Sequence, residues 1–138
     1  MTDEIISALE ASEMFRDLPA KRLKQIRDAG REMTFAAGSA LVDEGDEAGR
    51  FFLILDGSAE VTAHGEKRAT LGPGGAVGEL ALIDGGPRSA TVTAVSDLRA
   101  FSLASWNFKP FLDEPDVLHA IVAMLCRRLR GTETAAQG

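Results

Sequence analysis

The sequence has few of the residues that cross-link a chain, anchor it in a membrane or bind a metal ion. It contains one cysteine, Cys126, so no disulfide bond can form within the chain. Its two histidines, His64 and His119, are too few for a multi-histidine metal site. No apolar run approaches the length that spans a bilayer, and the acidic N-terminus lacks the basic and apolar regions of a signal peptide. These absences predict a cytoplasmic protein with no membrane partner and no metal.

The chain also lacks the excess of positive charge that is typical of nucleic-acid-binding proteins. It has 15 lysines and arginines against 21 aspartates and glutamates, which gives a formal net charge of -6. This balance argues against a nucleic-acid partner. It does not exclude a small anionic ligand, because one suitably placed arginine can pair with a phosphate.

The order of sequence patterns predicts an α+β fold in one domain over residues 1–138. Residues 2–30 have helical spacing, and residues 31–104 consist of short apolar segments separated by glycine turns. Helical spacing returns over 105–130, and the tail 131–138 is polar. We therefore expect an antiparallel double-stranded β-roll, similar to a jelly roll, flanked by N-terminal helices and a C-terminal helix.

Local signals predict where the strands and turns lie. The predicted strands are 33–35, 40–42, 51–55, 59–62, 68–71, 89–94 and 99–103. Asp56-Gly57 lies between two of these strands and predicts a hairpin. Ser105 is predicted to cap a short helix.

The last helix is predicted to begin near Pro115 and to end at Gly131. Its arginines at 127, 128 and 130 then lie in the last turn, where cations interact favourably with the helix dipole.

In the same helix, Cys126 is predicted to lie in the core. One apolar face contains Val117, Leu118, Ile121, Val122, Leu125 and Leu129. The spacing alone does not separate a core-facing side from a lid or a dimer seam.

Residues 76–92 carry the chemistry that points to a ligand. Glu79 interrupts an apolar run, and ionised carboxylates are rarely buried without a partner. The residues after Glu79 can form a helical turn whose free amides bind an anion, and Gly78 lets a ligand approach the backbone. Arg88 and Ser89 together offer a guanidinium and a hydroxyl to a phosphate. These residue types suit a ligand with a phosphate, a sugar hydroxyl and a flat apolar group.

Residues 78–83 (GELALI) and 87–92 (PRSATV) together resemble the phosphate-binding cassette of cyclic-nucleotide-binding domains. Such domains occur in the catabolite-activator family, in regulatory subunits of cyclic-AMP-dependent kinase and in gated channels. The resemblance extends from about Met14 to Arg130. It implies a ligand-binding set made of Gly78, Glu79, Leu80, Ala81, Arg88, Ser89, Ala90 and Val61.

The resemblance also implies a role for each part of that set. Glu79 would hold the ribose 2′-hydroxyl and Arg88 the cyclic phosphate. Ser89 and the backbone amides of Leu80, Ala81 and Ala90 would add donors. Val61 would line the base pocket, and the C-terminal helix would move over the base as a lid, or contact a second copy or an effector protein.

The implied function is a sensor or regulatory domain that has no catalysis of its own and no cofactor. Cyclic AMP is favoured as its ligand, with cyclic GMP as the second choice, because threonine in place of Ser89 would favour cyclic GMP. No DNA-binding module is expected, because the chain ends at Gly138. The last helix has no aromatic residue for a lid, so Leu125, Leu129 or an arginine there are the candidates to cover the base.

Two other functions remain open. The first is a structural or dimerising β-roll that has no ligand. The second is a metal enzyme of the cupin type, which the small number of histidines disfavours. No nucleophile elbow, P-loop or paired-carboxylate motif supports an enzyme.

Overall fold

The computed structural model describes residues 3–46 and 49–137. Its helices are α1 (Glu4–Ala11), α2 (Ala20–Ala29), α3 (Glu79–Asp84), α4 (Ser105–Phe108) and α5 (Pro115–Gln137), with a 3-10 helix (Lys109–Asp113) between α4 and α5. Its strands are β1 (Arg31–Phe35), β2 (Ala40–Val42), β3 (Arg50–Asp56), β4 (Ala59–Ala63), β5 (Glu66–Leu71), β6 (Ala76–Val77), β7 (Thr91–Ala94) and β8 (Leu98–Ala104). The short strand β6 is not predicted from the sequence.

The strands form two antiparallel sheets, which confirms the predicted α+β β-roll. The first sheet has the order β1-β8-β3-β6 and the second has the order β2-β7-β4-β5. None of the helices in the described part of the chain is long and apolar enough to cross a membrane.

Strand β3 is apolar without alternation because both of its faces are covered. Phe51 and Leu53 pack in one cluster with residues of the helices, whereas Phe52 and Ile54 pack in a second cluster with residues of the second sheet. All four side chains are buried. The first sheet is therefore the middle layer, with helices on one side and the second sheet on the other.

The hairpin predicted at Asp56-Gly57 is wrong, because this turn passes from the first sheet to the second. Strand β3 pairs with β6 and β8, while β4 pairs with β5 and β7. Gly57 has φ +90°, and a Cβ there would lie 2.4 Å from the carbonyl oxygen of Asp97. The true two-residue hairpin is His64-Gly65 between β4 and β5, where both residues have positive φ.

Two helix ends also differ from the sequence prediction. Ser105 does not cap α4: the cap position is Ala104, and no side chain makes a capping bond there. Helix α5 does not end at Gly131 but continues to Gln137, so the predicted polar tail is helical over 131–137. Arg127 and Arg128 therefore lie within the helix, where they contact acidic residues near the N-terminus, and not in its last turn.

Helix α5 presents different apolar residues to the core and to solvent. Its buried residues are Val117, Ala120, Ile121 and Met124. Its exposed apolar residues, which we call the α5 stripe, are Leu118, Val122, Leu125 and Leu129. Cys126 is exposed too, so the prediction that it lies in the core is wrong.

Candidate functional site

A cavity of about 490 Å³ lies where the second sheet meets β6, the start of α3, the loop before β7 and helix α5. Its lining includes the predicted residues Val61, Gly78, Glu79, Arg88, Ser89 and Ala90. Apolar side chains that form its other walls are Val42, Leu71, Val77 and Val92. The predicted residues Leu80 and Ala81 belong to α3, and their side chains lie outside what the structure describes. The cavity thus combines an apolar wall with a polar end.

Arg88 is the most deeply buried charged residue of that polar end. Only 8% of its surface is exposed. Its Nη2 donates to the backbone carbonyl of Arg50, whereas its buried Nη1 has no hydrogen-bond partner among the described residues. Burial lowers the pKa of the Arg88 guanidinium from its ordinary value. A buried cation with an unused donor is the group that an anion in the cavity would stabilise.

Backbone bonds and a glycine hold Arg88 in this position. Its N–H donates to the carbonyl of Asp46 at 2.9 Å, and its own carbonyl accepts from the N–H of Gly45 at 2.8 Å. Gly78 has φ +79°, and a Cβ there would lie 1.6 Å from Nη1 of Arg88. The sequence predicts that Gly78 admits a ligand. In the structure the group that approaches Gly78 is the Arg88 guanidinium.

Glu79 is the first residue of α3, and its partner comes from the opposite end of the chain. Its Oε1 accepts a hydrogen bond from Nη2 of Arg128 in α5. Arg128 also lines the cavity, so an arginine of the last helix does reach this site. Arg128 contacts the Glu79 carboxylate at the polar end of the cavity. The carboxylate has a second oxygen, Oε2, for which no hydrogen bond is seen among the described residues.

The other predicted donors lie near the same end of the cavity. Ser89 is exposed and Ala90 is partly buried. The backbone amides of Leu80 and Ala81 belong to the first turn of α3, where amides have no partner within the helix. Among the described residues, no three histidine, cysteine, aspartate or glutamate side chains lie together as metal ligands would.

Comparison with known families identifies the family to which this fold belongs. The family model described as "Cyclic nucleotide-binding domain" matches residues 32–114, which include the strands and the cavity loop. The chain belongs to the cyclic nucleotide-binding domain family. The resemblance carried by residues 78–83 and 87–92 is thereby confirmed at the level of the family.

Three solved structures are similar to this chain in sequence and fold. The N-terminal domain of a transcriptional regulator from Streptomyces coelicolor A3(2) is 31% identical, with a TM-score of 0.80 over 93% of this chain and 96% of that one. The regulatory domain of Toxoplasma gondii PKA, solved with cAMP, is 31% identical, with a TM-score of 0.72 over 80% of this chain and 46% of that one. The Thermus thermophilus catabolite activator protein is 27% identical, with a TM-score of 0.76 over 91% of this chain and 62% of that one.

The sequence does not predict the two long-range contacts that join this site to distant parts of the chain. Arg128 lies 49 positions from Glu79, and Glu13 lies 115 positions from Arg128. Glu13 bonds to Arg128 but does not line the cavity. A cluster of arginines in the last helix is a visible signal for Arg128, whereas no local pattern distinguishes Glu13 from other acidic residues of the N-terminal segment.

Proposed function

We propose that this cyclic nucleotide-binding domain binds cyclic AMP in the cavity and that α5 transmits its presence. The observation that carries this proposal is the Arg88 guanidinium, which is buried against the cavity and whose Nη1 has no hydrogen-bond partner in the described part of the chain. A cyclic phosphate would supply the missing acceptor and the opposite charge in one group. The anion would also offset the cost of burying the cation.

The remaining lining suits the other parts of a nucleotide. Glu79 is an acceptor for the ribose 2′-hydroxyl, and the amides of Leu80, Ala81 and Ala90, together with the hydroxyl of Ser89, are donors for phosphate oxygens. Val61 and the other apolar walls would contact the base. A volume of about 490 Å³ is in the range of pockets that hold small ligands. We propose a role in binding, without catalysis, in the cytoplasm.

Calorimetry of nucleotide-free protein with cyclic AMP and with cyclic GMP tests the proposal. We expect saturable binding of one nucleotide per chain, with the tighter binding for cyclic AMP. A folded sample that binds neither nucleotide would favour the alternative, a structural or dimerising roll without a ligand. Tighter binding of cyclic GMP would contradict only the choice of base.

The contact between Arg128 and Glu79 is the route by which α5 would sense the ligand. Because Glu79 lies in the cavity and Arg128 lies on α5, a nucleotide that bonds to Glu79 changes the surroundings of α5 directly. A ligand shifts a helix between two positions only as far as its affinities for the two states differ. The α5 stripe, which is exposed on the same helix, is the surface through which this change would reach a partner.

We further propose that the α5 stripe pairs with the same stripe of a second copy. Its residues Leu118, Val122, Leu125 and Leu129 recur at alternating spacings of four and three, which is the spacing of the seam in a two-stranded coiled coil.

Val122→Glu places a charge in this seam, so we expect the mass measured by sedimentation equilibrium to fall from two chains to one. Val95→Glu makes the same change at an exposed valine between β7 and β8, outside α5, and should leave the dimer intact. A wild-type chain that sediments as a monomer would contradict the dimer and favour an effector protein as partner.

A further inference from the structure

Glu13 is joined to the cavity by a single arginine, although it lies outside the cavity. It belongs to the segment between α1 and α2. Its Oε1 accepts from Nε of Arg128 at 3.1 Å, and its Oε2 accepts from Nη2 of Arg128 at 3.3 Å. The same Nη2 donates to Oε1 of Glu79. One guanidinium therefore connects the N-terminal segment, helix α5 and the first residue of α3.

The two bonds from Glu13 fix the orientation of the guanidinium. Two parallel hydrogen bonds to one carboxylate set the plane of an arginine as well as its distance. The Nη2 group carries two protons, one for Glu13 and one for Glu79. With Glu13 in place, the second proton is therefore aimed at Glu79. Without this bidentate partner, Arg128 would keep its charge and lose the two bonds that set its plane.

Burial makes this orientation significant. The side chains of Glu13, Arg128 and Glu79 are 40%, 32% and 18% exposed, so the network becomes less accessible to water toward the cavity. Electrostatic interactions are screened least where water is excluded. The Arg128–Glu79 bond is therefore the better protected of the two contacts, and Glu13 supports it from the more exposed side.

We propose that Glu13 is a positioning residue for the nucleotide site, which holds Glu79, through Arg128, in the orientation that accepts the ribose 2′-hydroxyl. The bond from Arg128 occupies Oε1 and leaves Oε2 as the acceptor. This inference rests on the proposed function.

The test compares cyclic AMP with 2′-deoxy cyclic AMP, since the two nucleotides differ only in the hydroxyl that Glu79 would bind. For the wild-type chain we expect the ribose form to bind about tenfold tighter or more, as for a hydrogen bond to a charged group. Glu13→Gln should bring this ratio below about threefold, because affinity for the ribose form falls while that for the deoxy form is retained. If Glu13 had only a structural role, Glu13→Gln would lower the affinity for both nucleotides by the same factor.

Asp17→Asn is the matched control. Asp17 lies on the same segment, is similarly exposed, and pairs with Arg127, whereas Glu13 pairs with Arg128. The Asp17→Asn variant should therefore keep the wild-type ratio of affinities for the two nucleotides. Arg128→Lys keeps the charge but removes the bidentate geometry, so it should lower the ratio as Glu13→Gln does.

Several outcomes would overturn the inference. One is a Glu13→Gln variant with the wild-type ratio. Another is a Glu13→Gln variant that binds the ribose form more tightly, which would mean that the network competes with the nucleotide. A wild-type chain that binds both nucleotides equally would show that Glu79 does not hold the hydroxyl. A wild-type chain that binds neither nucleotide would overturn the proposed function itself.

Discussion

Replacing Arg88 with methionine is expected to weaken cyclic AMP binding by about 2–5 kcal/mol, the cost of removing one partner from a buried charged pair. Methionine fills much of the same space without the charge. The ligand-free protein should keep its stability to within about 1 kcal/mol, because among the described residues the side chain makes one hydrogen bond, to the carbonyl of Arg50, and leaves Nη1 unpaired. Burying the Arg88 charge without an ion pair among the described residues costs stability. Removing the charge in Arg88→Met removes this cost, which offsets the lost hydrogen bond.

Calorimetry gives the affinity of this variant, and thermal unfolding with and without nucleotide gives its stability. Arg68→Met is the control, since Arg68 lies on β5, is half exposed and does not line the cavity. It should bind like the wild-type chain. An Arg88→Met variant with wild-type affinity would mean that the phosphate binds elsewhere. A large loss of stability without nucleotide would mean that Arg88 belongs to the folded framework and is not held for a ligand.

Replacing Gly78 with alanine is expected to reduce binding nearly as much as Arg88→Met. A Cβ at this position would lie 1.6 Å from Nη1 of Arg88, so the guanidinium cannot stay where it is. The atom that must move is the end of a long side chain, so the overlap should be relieved by displacing Arg88 and not by unfolding. The left-handed conformation itself, at φ +79°, should cost about 1–2 kcal/mol of stability.

Gly65→Ala separates the backbone effect from the effect on Arg88. Gly65 has φ +78°, and nothing lies within 4 Å of a Cβ built there. Both alanine variants should therefore lose similar stability, as measured by thermal unfolding, and only Gly78→Ala should lose affinity. Equal affinities of the two variants would show that Gly78 does not control the position of Arg88.

The predictions that failed depend on which distant part of the chain a segment packs against. The local sequence does not specify this. Asp56-Gly57 marks a reversal of the chain correctly, but a turn does not determine which sheet receives the next strand. Gly131 is a residue that often ends helices, yet α5 continues past it to Gln137. Upstream of this glycine, the ion pairs of Arg127 with Asp17 and of Arg128 with Glu13 hold α5 against the N-terminal segment.

The sequence alone determined the elements whose signals are local. The order of helices and strands follows from apolar spacing and glycine turns, and the cavity residues from Gly78 to Ala90 are identifiable because one short stretch of chain carries them. The tertiary structure decided what depends on distant segments. It placed Arg128 on Glu79 and Glu13 on Arg128, across 49 and 115 positions. It also divided the apolar residues of α5 between the core and solvent, because burial depends on which surface the rest of the chain presents to the helix.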